Sequence, residues 1–255
     1  MRIFITGSTD GLGRAAARAL LGQGHAVVLH ARSNERAAAL ADLAPRAAGV
    51  AIGDLASHVE TCDVARQVNA IGRMDAVIHN AGIYARPGRD TTPEGHAGTL
   101  AVNTLAPFLL TAKMERPGRL VYLSSGLHRQ GEGPLRDIDW TERRWDPSRA
   151  YAESKLYVVA LALCLARRWP DVISSAVDPG WVRTRMGGPG APVDIDTGQR
   201  TQSWLAASMD PEARVSGRYW HHMKPEQPAA QAMDPAFQEA LVARLTELTG
   251  VVLPA

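Results

Sequence analysis

The stretch Tyr151-Ala-Glu-Ser-Lys155 has the residue types and the spacing that proton transfer requires. On a helix, side chains four residues apart share one face, so the Tyr151 phenol and the Lys155 ammonium would stand side by side. A free tyrosine has a pKa of about 10, and a nearby positive charge favours the phenolate and lowers that pKa. Such a pair suits carbonyl reduction or alcohol oxidation near neutral pH. The alternative is an ordinary solvated pair at a helix edge.

A glycine-rich turn near the start of the chain is the second candidate for chemistry. The apolar run Arg2–Thr6 opens on Gly7-Ser-Thr-Asp-Gly11-Leu-Gly13, and an alanine-rich helix follows. A strand, a glycine turn and a helix in this order place phosphate on backbone N–H groups at the helix N-terminus. Gly7 would allow the tight turn, Gly11 the close approach of a pyrophosphate, and Gly13 close helix–strand packing. The turn predicts a dinucleotide site, although glycines also simply end strands.

The end of the second predicted strand, Ala26–His30, bears on which dinucleotide is bound. NAD-binding domains usually place an Asp or Glu here to accept from the ribose 2′-hydroxyl. This chain has Ala31 and then Arg32, and a guanidinium suits a 2′-phosphate. We therefore favour NADP(H), with NAD(H) as the alternative. The nearby carboxylates of Asp10 and Glu35 count against this preference, and Arg32 could instead only solubilise the strand end.

Polar or small residues follow each later strand, at the edge where a parallel sheet meets its ligands. The strands are predicted at Val50–Ile52, Asp75–His79, Arg119–Leu123, Val172–Val177 and, more briefly, Arg218–Trp220. The first four end in Asp54-Leu55, Asn80-Ala81-Gly82, Ser124-Ser125 and Asp178-Pro179-Gly180. Asn103 lies among apolar residues of a long predicted helix, Thr92–Met114, where a buried amide must be hydrogen-bonded.

Continuous alternation of strands and helices predicts one α/β domain over residues 1–255. Helices are expected at Asn34–Leu43, His58–Ile71, Thr197–Met209 and Pro235–Leu248. We expect the segments at about 126–150 and 185–235 to form substrate-side loops and a lid. The run Leu156–Leu165 is apolar on more faces than one sheet can cover, which favours a partner helix in an oligomer. A helix buried within one chain is the alternative.

Composition excludes several other classes of protein. The net charge is +2 and the arginines are scattered, so no nucleic-acid partner is expected. Two cysteines, Cys62 and Cys164, exclude a disulfide framework and favour a reducing compartment. The eight histidines show no ligand spacing, so no metal site is expected. No leader and no apolar run of spanning length are present, which predicts a cytoplasmic protein without a membrane partner.

Taken together, these motifs resemble the short-chain dehydrogenase/reductase family from Arg2 to about Met186. The long Ser125-to-Tyr151 interval is similar to that of its retinol-dehydrogenase-like branch, and His79 stands where the family's Asn-Asn-Ala-Gly motif begins. The resemblance implies four catalytic residues: Asn103, Ser125, Tyr151 and Lys155. It implies that the cofactor is held by Gly7, Ser8, Thr9, Asp10, Gly11, Leu12, Gly13, Arg32, Asp54, Leu55, Asn80, Ala81, Gly82, Tyr151, Lys155, Pro179, Gly180, Val182 and Thr184.

The resemblance also implies a fold and roles for these residues. We expect a Rossmann-like, doubly wound parallel sheet of about seven strands with helices on both faces, in a homodimer or homotetramer. Tyr151 would be the general acid or base, Lys155 would lower its pKa, Ser125 would hold the substrate oxygen, and Asn103 would position a relay water. The implied activity is NADP(H)-dependent hydride transfer to or from a small carbonyl or alcohol. The alternatives are a non-catalytic dinucleotide-binding regulator or scaffold, and an epimerase or dehydratase with tightly bound NAD.

Overall fold

Short apolar runs that alternate with helices pair into one twisted sheet. The computed structural model describes residues 1–84 and 87–254, so Ala85, Arg86 and Ala255 of the predicted 1–255 domain lie outside the described residues. The strands are β1 Arg2–Ile5, β2 Ala26–Ala31, β3 Gly49–Ile52, β4 Ala76–His79, β5 Arg119–Leu123, β6 Ile173–Asp178, β7 Arg218–His221 and β8 Lys224–Glu226. Their order is β3-β2-β1-β4-β5-β6-β7-β8, and all neighbours are parallel except β7 and β8.

Helices cover both faces of this sheet. They are α1 Gly11–Gly22, α2 Asn34–Ala37, α3 His58–Ile71, α4 Gly98–Leu100, α5 Ala106–Lys113, α6 Pro147–Arg168, α7 Ile195–Ala207, α8 Ala230–Met233 and α9 Pro235–Thr249. Successive strand side chains point to opposite faces. Phe4 thus packs in the core under α3, α5, α6 and α9, and its neighbours Ile3 and Ile5 pack under α1 and α7. Among the described helices, none has the length and apolar character needed to cross a membrane.

The predicted doubly wound parallel sheet is confirmed, and the structure adds an eighth strand. Strand β8 returns antiparallel to β7 through His222 and Met223, which both adopt left-handed backbone conformations with φ of 45° and 63°. All three residues of β8 are exposed and the middle one is Pro225. The strand therefore carries none of the apolar alternation that predicts a strand from sequence.

Two predicted helices are shorter than expected. In place of a helix over Thr92–Met114, regular structure begins at Gly98, because Gly95 takes a φ of 90° in a tight turn before it. The next turn, Ala101–Leu105, is a wider π-helical turn that leads into α5. In place of a helix over Asn34–Leu43, α2 is a single turn capped by Ser33, and 3-10 turns follow it. The prediction for α3 at His58–Ile71 is confirmed.

Helix α6 is covered by the C-terminal part of the same chain. Most of the run Leu156–Leu165 is fully buried. Helices α8 and α9 pack against α6, and Leu241 and Leu245 of α9 belong to the same core cluster. The apolar faces that predicted a partner helix thus have an intramolecular explanation, which was the alternative. Any contact between copies of this chain would have to use other surfaces.

Candidate active site

The four predicted catalytic residues lie together at the carboxyl edge of the sheet. Tyr151 and Lys155 follow one another by one turn of α6, and they are 6% and 4% exposed. The Lys155 Nζ lies 5.8 Å from the centroid of the Tyr151 ring. Ser125 follows β5, and its hydroxyl lies close enough to the Tyr151 phenol to influence the pKa of that phenol. Asn103 lies in the wide turn before α5. The Tyr151 phenol, the Ser125 hydroxyl and the Lys155 ammonium thus lie close together at this edge of the sheet.

The start of α6 is fixed by its own sequence. Asp146 caps the helix, and its carboxylate accepts from the backbone N–H groups of Ser148 and Arg149, while Pro147 occupies the first turn. Proline is well tolerated there because its missing N–H has no intrahelical partner in any case. This cap sets the rotation of the first turns of α6. It therefore fixes the direction in which Tyr151 points.

Asn103 braces the loop after β4 against α6. Its Nδ2 donates to the carbonyl oxygen of Ile83 at 3.0 Å and to Ser154 Oγ at 3.0 Å, and its Oδ1 accepts from the Ile83 N–H at 2.8 Å. Both donor positions of the amide and one acceptor position of its oxygen are thereby used. It locks residues 82–83 to the face of α6 that carries Tyr151 and Lys155. The wide turn of Ala101–Leu105 is the local geometry that brings the amide to this position.

The two serines after β5 point to opposite faces, as successive side chains at the end of a strand do. Ser124 is buried, and its hydroxyl donates to the carbonyl oxygen of Lys155 at 3.0 Å. Ser125 instead faces Tyr151. The Lys155 Nζ donates to the carbonyl oxygen of Leu123 at 2.8 Å, so the backbone of β5 holds the ammonium in place.

Burial decides the proton affinities of the two key groups. Burial lowers the pKa of Lys155 to about 8, so at pH 7 the ammonium form still prevails by about ten to one. Burial also raises the pKa of Tyr151 to about 12; the hydrogen bond with Ser125 opposes this rise, and Asp178 and Tyr84 add to it. We expected Lys155 to lower the pKa of Tyr151, but in this structure the cost of burying a phenolate is the larger effect. The phenol is therefore protonated at neutral pH and has a proton to donate.

The glycine turn has the shape of an open anion cradle. Gly7 and Gly11 have φ of 68° and 53°, conformations that other residues seldom adopt. A Cβ at Gly13 would overlap the Gly7 carbonyl oxygen and the Asn80 amide nitrogen, so α1 packs directly on the turn. A Cβ at Gly11 would meet only Thr184. This backbone cradle at the N-terminus of α1, with Asp10 as its cap, fits the diphosphate of a dinucleotide.

His30 is a residue of this region that the sequence analysis missed. Its Nδ1 accepts from the Gly7 N–H at 2.9 Å, and its Nε2 lies 2.9 Å from the Gly53 carbonyl oxygen, to which it donates. Burial is the main cause that lowers the pKa of His30 to about 4, which keeps the ring neutral and fixes this tautomer. Ser8 serves the same turn: its buried hydroxyl donates to Ile5 and accepts from the His30 N–H. Ser8 therefore shapes the turn with its side chain, and a polar residue at the end of β2 was the available signal for His30.

Two arginines, one predicted and one not, lie beside the turn. Arg32 follows β2 and is exposed. Arg36 lies four residues further, and its Nη2 donates to Thr9 Oγ1 at 3.3 Å and lies 4.0 Å from an Asp10 carboxylate oxygen. Arg185 lies 3.7 Å from the same oxygen of Asp10. The carboxylate that argued against a phosphate site thus faces two guanidiniums.

The other predicted cofactor residues lie along the same edge. Asn80 donates to the Thr6 carbonyl oxygen at 2.9 Å, and the Ala81 N–H donates to Thr6 Oγ1 at 2.9 Å, so this segment supports the turn. A Cβ at Gly82 would lie 3.3 Å from both Asn103 Oδ1 and Lys155 Nζ, which requires a small residue there. The remaining predicted cofactor residues lie after two strands and in one helix: Asp54 and Leu55 after β3, Leu12 in α1, and Pro179, Gly180, Val182 and Thr184 after β6.

The predicted lid at 126–150 is fastened to α6 by a buried ion cluster. Glu153 is 1% exposed, and the Arg143 guanidinium binds it with two hydrogen bonds of 2.9 Å. The Trp140 Nε1 donates to Glu153 at 3.0 Å, and Arg143 also pairs with Asp137 at 3.1 Å. Because Glu153 lies between Tyr151 and Lys155, this cluster connects the 126–150 segment to the turn of α6 that carries these two residues.

Tyr84 and the 185–235 segment complete the surroundings. The Tyr84 ring lies 4.7 Å from the Tyr151 ring in an edge-to-face arrangement and is 43% exposed, so it forms a wall beside the phenol. No motif singled it out in the sequence. The predicted 185–235 lid is largely regular structure, since it contains α7, β7, β8 and α8. Met186, at its start, and Trp181, which precedes it, are exposed.

The doubly wound sheet and the site at its carboxyl edge are those of an α/β oxidoreductase of the dinucleotide-binding type. The model of the short chain dehydrogenase family matches residues 1–134. The short-chain dehydrogenase chyC of Penicillium rubens is 40% identical over 258 residues, which cover 100% of this chain and 99% of that protein. The chain therefore belongs to the short-chain dehydrogenase family.

Further comparisons agree with this assignment. The proposed daunorubicin C-13 ketoreductase DnrU of a Streptomyces species is 36% identical over 85% of this chain and 82% of that protein. Human retinol dehydrogenase 13 is 29% identical over 99% of this chain and 85% of that protein, which places the chain near the retinol-dehydrogenase-like branch. A crystal structure of an uncharacterised protein from Mycobacterium paratuberculosis superposes with a TM-score of 0.84, at 27% identity, over 100% of this chain and 95% of that one.

Proposed function

We propose that this protein is an NADP(H)-dependent carbonyl reductase or alcohol dehydrogenase acting on a small molecule. The observation that carries the proposal is the convergence of Tyr151, Ser125 and Lys155 beside the glycine cradle. The nicotinamide cofactor, when bound, would supply or accept the hydride, and the protein would supply position and the proton. The ketoreductase name of one relative supports a carbonyl as the substrate.

Each residue of the site has a distinct task in this proposal. In reduction, the Tyr151 phenol donates its proton to the substrate oxygen, and in oxidation the phenolate takes the proton back. The Ser125 hydroxyl, which lies next to the phenol, orients that oxygen. The Lys155 ammonium, held by Leu123, stabilises the phenolate that reduction leaves behind. Asn103 holds the loop over this group in place through its bonds to Ile83 and Ser154.

We prefer NADP(H) because Arg32 follows the second strand, where NAD-binding domains usually place a carboxylate, and Arg36 lies four residues further on in α2. Arg32 and Arg36 offer the charge-assisted hydrogen bonds that a 2′-phosphate requires. NAD(H) remains the alternative cofactor. Arg36→Ala and Arg32→Ala should each weaken NADPH binding far more than NADH binding in fluorescence titrations. Equal losses for both cofactors would remove this role, and Arg46→Ala, a change remote from the turn, serves as the matched control.

The comparisons give no support to the non-catalytic regulator or to the epimerase and dehydratase alternatives. The decisive experiment is NADPH oxidation against a panel of ketones and aldehydes. Turnover of any member, with formation of the corresponding alcohol, would support the reductase. Tight NADPH binding without turnover of any compound in a broad panel would favour the non-catalytic alternative.

A homodimer or homotetramer and a cytoplasmic location stay predictions. The reason first given for oligomers is weakened, since α8 and α9 cover the apolar faces of α6 within one chain. Light scattering at several protein concentrations would decide the oligomeric state.

A further inference from the structure

Tyr84 is an aromatic residue that contacts the proposed acid, and the catalytic set does not include it. Its ring centre lies 4.7 Å from that of Tyr151, and the two ring planes are inclined at 72°. Tyr84 is 43% exposed, whereas Tyr151 is 6% exposed. A molecule that approaches the Tyr151 hydroxyl from solvent therefore meets the groups that cover Tyr151, and the Tyr84 ring is one of them.

The backbone that carries Tyr84 is fixed on its N-terminal side. Asn103 binds both polar groups of the preceding peptide residue, Ile83: its Oδ1 accepts from the N–H at 2.8 Å, and its Nδ2 donates to the carbonyl oxygen at 3.0 Å. The same Nδ2 donates to Ser154 Oγ at 3.0 Å. Because Ser154 belongs to the turn of α6 that follows Tyr151, this brace sets the place of Tyr84 relative to the phenol.

The ring of Trp140, in the 126–150 segment, is by contrast covered by other parts of the protein. Trp140 is 5% exposed, and the guanidinium carbon of Arg143 lies 3.7 Å from its ring centroid. The Trp145 ring meets it edge to face at 5.7 Å, and its indole N–H donates to Glu153. Tyr84 differs from Trp140 in that it contacts the acid and keeps a large part of its surface open to solvent.

We propose that Tyr84 is a specificity-determining residue that packs against an aromatic group on the carbonyl carbon, so that aryl ketones and aryl aldehydes are the preferred substrates. This inference rests on the proposed function. A substrate oxygen at hydrogen-bond distance from the Tyr151 hydroxyl, about 2.7 Å, brings the groups on the carbonyl carbon alongside the Tyr84 ring. Aromatic rings attract one another beyond the area that they bury. A saturated group of the same size gains burial alone.

The competing explanation is that Tyr84 only packs on Tyr151 and holds the phenol in place. Single exposed aromatic residues are common on protein surfaces, so exposure alone does not decide between the two. The explanations differ in what they predict for a pair of substrates. A packing role affects all carbonyl substrates alike, whereas a role in specificity changes the ratio of activities on an aromatic and a saturated substrate.

The test compares methyl phenyl ketone with methyl cyclohexyl ketone, which differ in whether one six-membered ring is aromatic. The quantity measured is kcat/KM for NADPH-dependent reduction of each ketone by wild type, Tyr84→Leu and Tyr84→Phe. Leucine keeps an apolar side chain and removes the ring, whereas phenylalanine keeps the ring and is the matched control. We expect the phenyl-to-cyclohexyl ratio of kcat/KM to fall about two- to tenfold in Tyr84→Leu, the range of an aromatic pair, and to stay unchanged in Tyr84→Phe.

A second readout does not depend on turnover. Binding of each ketone to the enzyme–NADPH complex is followed by NADPH fluorescence in the same three proteins. Binding of the phenyl ketone should weaken in Tyr84→Leu, and binding of the cyclohexyl ketone should change less. Equal NADPH affinity in all three proteins would show that the variants are folded.

The outcomes separate this inference from the proposed function. If both ketones are reduced and their ratio is unchanged in Tyr84→Leu, the role of Tyr84 is overturned and the reductase stands. If neither ketone is reduced, but binding of the phenyl ketone weakens in Tyr84→Leu and not in Tyr84→Phe, the ring contact is supported and the proposed function is contradicted. A wild type that neither binds nor reduces the phenyl ketone overturns the role of Tyr84, and reduction of other carbonyls then still supports the reductase.

Discussion

Replacing Glu153 by alanine should destabilise the protein by about 3 kcal/mol, near the lower end of the cost of removing one partner of a buried ion pair. Glu153 is 1% exposed and accepts three hydrogen bonds, two from Arg143 and one from Trp140. The Arg143 side chain is 25% exposed, so water can solvate it in part after the change, which keeps the loss near the lower end. The Trp140 N–H would lose its partner in a buried place, which adds to the cost.

Thermal and urea unfolding measure this loss. For a chain of this size, each kcal/mol lowers the unfolding temperature by about 2–4 °C, so we expect a fall of about 6–12 °C. Glu153→Gln is the matched control, because it keeps the shape and an oxygen acceptor and should lose less. A loss below about 1 kcal/mol, the usual value for an exposed pair, would refute the view that this cluster fastens the lid.

Three further predictions concern the glycine turn, the pair of His96 with Asp139, and the support of Ser125. Gly13→Ala should cost about 1–3 kcal/mol in unfolding and weaken NADPH binding, because its Cβ overlaps Gly7 and Asn80. The hydrogen bond with Asp139 raises the pKa of His96 above 6.5. The free energy of unfolding in urea should therefore exceed that of His96→Gln by its full amount below about pH 6. This difference should decline as the pH rises through the raised pKa. His128→Ala should cost about 1–3 kcal/mol and lower kcat, because the Ser125 carbonyl oxygen loses its side-chain donor and the Ala229 N–H loses its acceptor.

Each of these has a contradicting result. Gly22→Ala, where nothing lies within 4 Å, is the control for Gly13, and equal effects of the two changes would refute the packing argument. A stability difference for His96 that grows with pH would have the wrong sign. Unchanged unfolding in His128→Ala would show that its two hydrogen bonds contribute nothing to the support of Ser125.

The sequence predicted the parts of the site that depend on local order. The strand, turn and helix of residues 2–22 follow from an apolar run, three glycines and an alanine-rich segment. Tyr151 and Lys155 share a face because of helical spacing. These inferences need no knowledge of distant contacts.

The remainder depends on residues far apart in the chain. Asp178 and His221 lie 43 residues apart and meet only through the pairing of β6 with β7. The cover of α6 by α9 likewise could not be read from the apolar run, which fits a partner chain equally well. The high pKa of Tyr151 follows from burial, which the spacing of Tyr151 and Lys155 alone does not reveal.

The most direct test of the account is single-turnover oxidation of bound NADPH by a carbonyl substrate in wild type and Tyr151→Phe. The variant keeps the ring and removes the proton, so NADPH affinity should be unchanged while the rate falls by about 10²–10⁴-fold, the usual contribution of a general acid. A rate in Tyr151→Phe close to that of the wild type, with NADPH still bound, would contradict the assignment of Tyr151 as the acid.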